Sequence, residues 1–594
     1  MLAALCSGCA ALRPGGDDEA KAAAAPAEVL RLEVVAPSPL DDLLRQHLDL
    51  ARVNRLAAGR PVGAQEVQRL VDAAPQQAKA LLDTEGHYNA QVRAESLGGD
   101  PPRVRVTVTP GPRTVVGSVD LSVTGALAAD AAAGQPHARR SRQAFLDAWT
   151  LAPGDPFRDA DWGRAKDQSM ARLRAQGYVA ADWRSTRAAV DAATQRAALQ
   201  AEADSGPLHR TGPLRIVGLN HHDERTVQNI ADFPPGTPAT ETLLLDYQER
   251  LQRSGLFDRA TVTLATEGAD PAAVPVEVRL AERRLQEATF GAGYSANIGP
   301  RVSVDYIHRR PFGQAWLARS RVELAQREQG WTGELSTHTL PGLWRNLVSG
   351  NVLRQRSDDD RVDSARLRAG RAQETRRISR LVFVETERSL TTNRLGEQRS
   401  DALSAHYHVI FRDLDDLLLP TRGQVLSLQG GGGQARSQPG GSGPFARAYA
   451  RWTGYRPLGS WYGQARVEAG QIFSADDVVP PESMRWRAGG DDSVRGYGYR
   501  ELAPVVNGSL TSGKVIVTAS AEIARPLLAR LPDLWWAAFV DAGRAAQRWG
   551  DLKPAVGAGV GLRYRSPIGP AKLDIAYGEE DQRFRLHLTV GVTF

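Results

Sequence analysis

The sequence has almost no cysteine. Of its 594 residues only Cys6 and Cys9 carry a thiol, and both fall within the first nine positions. The rest of the chain can form neither a disulfide framework nor a cysteine-ligated metal site, which suits work in an oxidising compartment. Long apolar runs are missing too. No stretch reaches the ~18 apolar residues of a helical membrane span, so an α-helical membrane protein is excluded. A membrane barrel is not, because its strands alternate apolar and polar residues and its composition looks soluble. Lysine is scarce: six stand against 68 arginines, within 74 basic residues and a net charge of +6. Arginine alternates with Asp and Glu instead of forming a basic patch with interleaved aromatics, which argues against nucleic acid as a partner. A charged fraction of 24%, with 57 Gly and 35 Pro, excludes wholesale disorder and low complexity. Catalytic signatures are absent as well: no G-x-S-x-G elbow, no H-E-x-x-H and no G-x-x-x-x-G-K-[ST] loop. Neither an enzyme nor a cofactor is expected. His221-His222-Asp223-Glu224 follows the strand LRIVGLN, where a polar helix entry with Asp223 as N-cap is the better reading than a metal site. At the start, MLAALCSGCA resembles the tail of a secretory signal without its basic n-region. Cys9 after Ser7-Gly8 forms a partial lipobox, and Ala10 to Ala27 reads as a flexible lead-in.

Internal repetition organises the first half. LLDTEGHYNAQVRAE around Gly86 is echoed by ARLRAQGYVAADW around Gly177 and by ERLQRSGLFDRATV around Gly255. In each, an amphipathic helix meets a glycine, an aromatic follows within two residues, and an alternating strand begins. Glycine is the expected C-cap because it enters the left-handed conformation without steric cost. Tyr88, Tyr178 and Phe257 are expected to anchor the strand that follows. A second element also recurs: Gly111-Pro112 precedes Gly117 and VDLSVTG, and Gly206-Pro207 precedes Gly212 and LRIVG, at the same offset. Each unit predicts strand, helix, helix, strand, strand over about 75–100 residues, a small α+β domain. This β-α-α-β-β order resembles POTRA domains, the periplasmic modules of barrel-assembly and secretion proteins. Three are placed, at 28–112, 113–209 and 210–284, after a signal-like segment and lead-in at 1–27. The resemblance implies an exposed sheet edge that takes up extended peptides by β-augmentation.

From about Leu285 helical periodicity gives way to short alternating segments separated by Gly, Pro, Asp and Asn. Phe290, Ala292, Tyr294, Ala296 and Ile298 are apolar at every even position. Val302, Val304 and Tyr306 continue the pattern, with Arg301, Ser303 and Asp305 opposite. In the last segment Phe584, Leu586, Leu588, Val590, Val592 and Phe594 share one face, and Arg583, Arg585, His587, Thr589, Gly591 and Thr593 the other. A soluble sandwich also alternates. However, the remaining residues, 285–594, suit membrane strands of about 9–11 residues, and closure into about sixteen antiparallel strands removes exposed edges. The fold class is therefore α+β modules followed by an all-β transmembrane barrel. Gly430 to Gly433 and Gly440-Gly441-Ser442-Gly443 are expected as barrel loops.

RAGGDDSVRGYGYREL at 487–502 contains Val494-Arg495-Gly496-Tyr497, which resembles the inward-folded loop motif of the BamA/TamA superfamily of outer-membrane assembly barrels. ASAEIARPL at 519–527, AAFVDAG at 537–543 and GAGVGLRYRSPIGPAKLDIAYG at 557–578 resemble successive strand motifs of that superfamily. With three modules the chain is most similar to the TamA branch. That branch implies an outer-membrane barrel with its modules in the periplasm, embedded in the lipid bilayer. It implies no enzymatic activity, but insertion or export of unfolded outer-membrane client proteins together with a TamB-type inner-membrane-anchored periplasmic protein. A BamA-like general assembly factor and a two-partner secretion transporter are the alternatives. By the same resemblance Arg495 reaches inward to Glu522 and Asp541 and locks the loop, while Gly496 and Gly498 let the backbone turn. The lateral seam, 288–298 against 584–594, opens to clients and is weakened by Gly291, Gly293 and Gly591 beside Phe290 and Tyr294. Phe584, Leu586, Leu588, Val590, Val592 and the terminal Phe594 resemble the β-signal read by assembly machinery.

Overall fold

The computed structural model describes residues 29–56, 62–357, 360–416, 420–528, 530–566 and 569–593. The signal-like segment, both cysteines, the lead-in and Phe594 lie outside the described residues. Two compact units are present. One holds the first two repeats with Gly236–Thr242 and Gly268–Val274; the other holds the rest of the third repeat and everything after it.

The first repeat runs β1 (Arg31–Val35), α1 (Leu40–His47), α2 (Asp49–Leu56), α3 (Ala64–Thr84), β2 (Gln91–Gly98) and β3 (Arg103–Thr109). Central β3 pairs parallel with β1 and antiparallel with β2. Its alternate residues Val104, Val106 and Val108 are buried against Val67, Leu70, Val71, Ala74, Ala78 and Leu82 of α3, spaced three and four apart on one helix face. The second repeat is β4 (Val115–Thr124), α4 (Ala126–Ala132), α5 (Pro136–Asp147), α6 (Asp159–Ala175), β5 (Asp182–Asp191) and β6 (Arg196–Asp204). The third is β7 (Thr211–Val217), α7 (Glu224–Ala231), α8 (Glu241–Arg253), β8 (Phe257–Leu264) and β9 (Val274–Glu282). Their sheets keep the same order, β4-β6-β5 and β7-β9-β8.

Among the described residues, only the third repeat has the expected two helices. In the others the leading helix is split. Leu48 turns extended (φ −62°, ψ 143°) between α1 and α2, and Gly134 (φ +84°) followed by Pro136 at the start of α5 interrupts the second. The three glycine junctions do adopt the left-handed conformation, at φ +87°, +98° and +74° for Gly86, Gly177 and Gly255. Tyr178 and Phe257 are buried in their own modules. Tyr88 instead packs on the second module's cluster around Val116, Phe157 and Trp162. A Cβ on Gly86 would stand 2.2 Å from the Phe157 carbonyl oxygen, so glycine is what lets these two modules meet.

In the second unit, described residues form sixteen antiparallel strands closed into a barrel. The first eight are β10 (Gln286–Ser295), β11 (Gly299–His308), β12 (Trp316–Ala325), β13 (Glu328–Thr337), β14 (Trp344–Arg356), β15 (Asp360–Glu374), β16 (Ile378–Asn393) and β17 (Gly396–Leu414). Then come β18 (Gly423–Gln438), β19 (Ser442–Leu458) and β20 (Trp461–Ser474), followed by a long loop carrying the short hairpin β21 (Val505–Val506) and β22 (Ser509–Leu510). The last five are β23 (Val515–Leu528), β24 (Leu531–Ala546), β25 (Ala555–Ser566), β26 (Gly569–Gly578) and β27 (Arg583–Thr593). The wall is inverted relative to a water-soluble barrel. In β16, Val382 and Val384 are exposed while Phe383, Glu385, Glu387 and Ser389 are buried. Register carries the same outward face round through Leu367, Leu403, Val467, Val540, Val560, Ile575, Phe584, Phe290 and Val304, all exposed. An apolar belt this extensive is stable in hydrocarbon rather than in water. Gly430 to Gly433 lie inside β18 and not in a loop: Gly431 pairs with His406 and Gly433 with Ser404. A Cβ on Gly433 would lie 2.0 Å from the Leu403 carbonyl oxygen, so these glycines permit close strand approach.

The third module is fastened to the barrel by Arg309, which is 2% exposed. Its guanidinium donates to the carbonyls of Gly255 (2.6 Å) and Arg284 (2.7 Å) and to the Glu287 carboxylate (2.6 Å). Its own carbonyl accepts from His338 Nε2 at 2.8 Å, and the His338 ring meets His222 edge-on, with centroids 5.3 Å apart. Asp223 occupies the N-cap position of α7 but its side chain makes no capping bond. It pairs with Arg310 at 3.3 Å. Glu282 of β9 collects the N–H groups of Asn220, His221 and His222 instead, at 2.9–3.0 Å.

Burial alone would raise the Glu282 carboxyl, yet the N–H groups of His222, His221 and Asn220 and the His221 ring hold it down at about 2. A depressed folded value means that its stabilisation is complete above the ordinary glutamate range and is lost as pH falls toward 2. Amide protection of residues 220–226 in the full-length protein is therefore expected to decline between about pH 4.3 and 2. Glu282→Gln should abolish that dependence and cost the module on the order of 3 kcal/mol at neutral pH, measured by hydrogen exchange.

Candidate functional site

The connection between β20 and β23, residues 475–514, is far longer than the other turns at its end of the barrel. It also carries apolar residues that a solvent loop would not. Trp486, Ala488, Val494, Tyr497 and Leu502 are buried with Ile472, Ile516, Ala545 and Ala555 of the wall. Their burial folds the loop into the lumen and brings its charged residues to the inner face.

Arg495 lies at the centre. Its Nε and Nη2 fork onto Asp541 at 2.7 and 3.0 Å, and Nη1 reaches Glu522 at 2.9 Å and Asp574 at 3.3 Å. The Arg495 amide also donates to Asp541 at 3.1 Å, and Ser520 Oγ donates to the same carboxylate at 2.7 Å. The guanidinium carbon stands 3.3 Å from the centroid of the Phe539 ring, whose face supplies a further cation site. Arg563 bridges Glu522 (2.9 Å) and Asp574, so two cations share three carboxylates. A planar fork with five donors is the side chain that can satisfy such a set. Glu522, Asp541, Arg563 and Asp574 come from β23, β24, β25 and β26, four consecutive strands whose inward faces converge on the loop.

The backbone is seated as closely as the side chain. Gly496 has φ +97°. A Cβ on Gly557 would be 1.9 Å from the Arg495 carbonyl oxygen, and one on Gly578 would be 2.7 Å from that of Gly496. Gly498 is not left-handed; its amide donates to Glu501 at 2.8 Å. Tyr497 Oη donates to the Val556 carbonyl at 2.9 Å and accepts from the Glu580 amide at 3.1 Å, and Val494 is buried in the loop's own cluster.

A second anchor holds the other flank of the loop to β15 and β16. Glu482 is fully enclosed by Arg485 (2.6 Å), Arg500 (3.2 Å), Arg487 (3.3 Å) and the Ser512 hydroxyl. Arg487 continues to Asp360 of β15, Ser483 donates to Glu387 of β16, and the Glu482 amide donates to Ser389 Oγ at 3.2 Å. The loop thus spans from one part of the wall to another well separated from it in strand order.

At the seam, among the described residues β10 and β27 share five register pairs, from Gly291↔Thr593 to Ser295↔Thr589. Eight join β26 to β27 and sixteen join β16 to β17. Gly293 faces Gly591 directly across it. Phe290 and Tyr294 point outward and are exposed, as are Phe584 and Leu586 of β27. Leu588 shares their face; Val590, Gly591 and Val592 lie within β27, and Phe594 is outside the described residues.

The structure brings Arg495 together with Glu522 and Asp541, the three residues the loop-motif resemblance implies, and adds Asp574, Arg563, Gly557 and Gly578 to them. Alternation held a usable signal for Asp574, which sits between Leu573 and Ile575 in a strand whose apolar residues face out. Nothing local indicated which inward residue it would meet.

Residues 327–594 match the Omp85 superfamily domain. Among solved structures, BamA from Haemophilus ducreyi lacking POTRA domains 1–3 aligns over 81% of this chain and 100% of that one, with 16% identity and a TM-score of 0.57, which shows a shared fold. CdiB from Acinetobacter baumannii aligns over 82% of this chain and 90% of its own, with 13% identity and a TM-score of 0.47. CdiB from Escherichia coli aligns over 89% and 97%, with 14% identity and a TM-score of 0.46.

Arg495→Ala is expected to lower barrel stability by about 3–5 kcal/mol, because it strands buried carboxylates. Arg495→Lys should recover a minor part, since an ammonium cannot fork across Asp541 and reach Glu522. Combining Arg495→Ala with Asp541→Ala should cost less than the sum of the two. Urea unfolding in detergent measures all three.

Proposed function

We propose that this chain, an Omp85 superfamily domain over residues 327–594 preceded by three POTRA-type modules, is an outer-membrane assembly or translocation factor of the TamA type. The observation that carries the reading is the pairing of a short strand seam with a lumen loop anchored by Arg495 to Glu522, Asp541 and Asp574. A buried charge lock that holds a loop across the channel suits a barrel that must remain closed between episodes of opening.

In this reading the modules face the periplasm. Each three-stranded sheet has outer strands that can accept an extended client segment through main-chain hydrogen bonds, with little demand on its sequence. A TamB-type inner-membrane-anchored partner delivers clients to the first module. Separation of β10 from β27 then exposes strand edges that template an unfolded client into the bilayer, and Gly291, Gly293 and Gly591 lower the cost of parting them. The outward apolar residues of β27, Phe584, Leu586 and Leu588, serve as the segment by which this barrel is itself recognised for assembly.

Two experiments test the reading. Gly293→Cys with Gly591→Cys, in a chain carrying Cys6→Ser and Cys9→Ser, should abolish client assembly when oxidised and restore it on reduction. Full activity with the seam covalently closed removes lateral opening from the account. Crosslinking in the membrane from the exposed face of β2 should capture a long periplasm-spanning protein. Recovery of barrel-assembly lipoproteins instead moves the assignment to a general assembly factor.

A further inference from the structure

Four residues before Arg495, the loop presents a second carboxylate that touches neither the Arg495 lock nor the Glu482 anchor. Asp491, with 10% of its side chain exposed, points at the outer end of the seam. Its Oδ2 accepts from Ser295 Oγ of β10 at 3.2 Å and from Thr589 Oγ1 of β27 at 3.2 Å. Its Oδ1 meets His587 Nδ1 of β27 at 2.6 Å. The Asp491 amide donates to Asn297 Oδ1 at 3.0 Å, in the turn directly after β10. Ser295 and Thr589 are register partners, the pair at one end of the described seam. One carboxylate therefore holds a group from the first strand and two groups from the last.

His587 ties this contact to the lock. Its Nε2 accepts from the Gly496 amide at 3.0 Å, so the ring proton sits on Nδ1 and is donated to Asp491. The imidazole is clasped between residues 491 and 496 of the loop, on either side of Arg495. Between them the loop is a tight unit: the Gly490 amide donates to the Val494 carbonyl at 3.3 Å and the Ser493 amide to the Gly490 carbonyl at 3.2 Å. A displacement that takes Arg495 from Asp541 also takes Asp491 from both strands.

The geometry points to Asp491 as the staple of the seam: a positioning residue that adds charge-assisted hydrogen bonds where the ladder is short, and that releases β10 from β27 when the loop leaves its seat. The loop is then the latch of the lateral opening, and its docking state is what the seam reads. This rests on the proposed role of the seam, but the staple itself is a property of the isolated barrel.

Hydrogen exchange on the full-length protein in nanodiscs tests it without any client. Asp491→Asn keeps the shape of the side chain and removes its charge and one acceptor. Amides of β10 and β27 should then exchange about tenfold faster or more, while those of β16 and β17 stay unchanged. Asp492→Asn, at the exposed neighbour, should alter neither. In a Ser295→Ala, Thr589→Val background the further change Asp491→Asn should add less than it does alone, because the β10 hydroxyl is already gone and, of the side chains on the two strands, only His587 of β27 still meets the carboxylate. Seam exchange within twofold of the native protein, equal acceleration around the whole barrel, or full additivity with the two strand variants would each overturn the staple. If the seam loosens as expected while the oxidised Gly293→Cys, Gly591→Cys barrel still assembles clients, the staple stands and the assembly role falls.

Discussion

A guanidinium enclosed in a barrel lumen must find anions, and the structure around Arg495 follows from that requirement. Burial removes its hydration, so its position is tolerable only where carboxylates from several strands converge. Asp541 takes the fork, Glu522 and Asp574 take the remaining arm, and Arg563 shares their excess charge. Because these partners sit on neighbouring strands, the pairing requires those strands to be in correct register, and the docked loop holds the four of them together.

The wall itself obeys two constraints that pull in opposite directions. Its outer face must be apolar enough for hydrocarbon, and its inner face polar enough to receive a charged loop. Alternation satisfies both within one strand, as β16 does with Val382 and Val384 outside and Glu385 and Glu387 inside. Glycine settles the places where side chains would collide. In β18 it admits His406 and its neighbours, and at Gly557 and Gly578 it lets the loop backbone lie against the wall.

Fastening at the other end uses the same chemistry with fewer charges. Arg309 satisfies two carbonyls and one carboxylate from within a buried joint, and Glu282 gathers three consecutive amides at the entrance to α7. The third module is therefore coupled to the first barrel strands through backbone groups, which constrain orientation more tightly than paired surface charges do. A short seam and a buried joint thus occupy the same few strands.

Much of this was legible before any coordinates. The repeats around Gly86, Gly177 and Gly255 and the lipid-like face of β27 follow from periodicity and local backbone chemistry, because spacing decides which face a residue shares; the inward Arg495 is legible through the resemblance of its loop motif alone. What spacing does not carry is the partner. Asp574, Arg563, His587 and Asp491 have ordinary neighbours in the chain, and they acquire a role when register and closure bring together residues as far apart as Ser295 and Asp491. The move of Gly430 to Gly433 from loop to strand and the replacement of Asp223 by Glu282 at α7 have the same origin. In each, a tertiary contact outweighed a local preference of about a kilocalorie per mole. The sequence alone determined which faces are lipid-like and which are polar. Only the folded barrel decided which charges meet, because strand pairing is a long-range constraint and charge pairing depends on it.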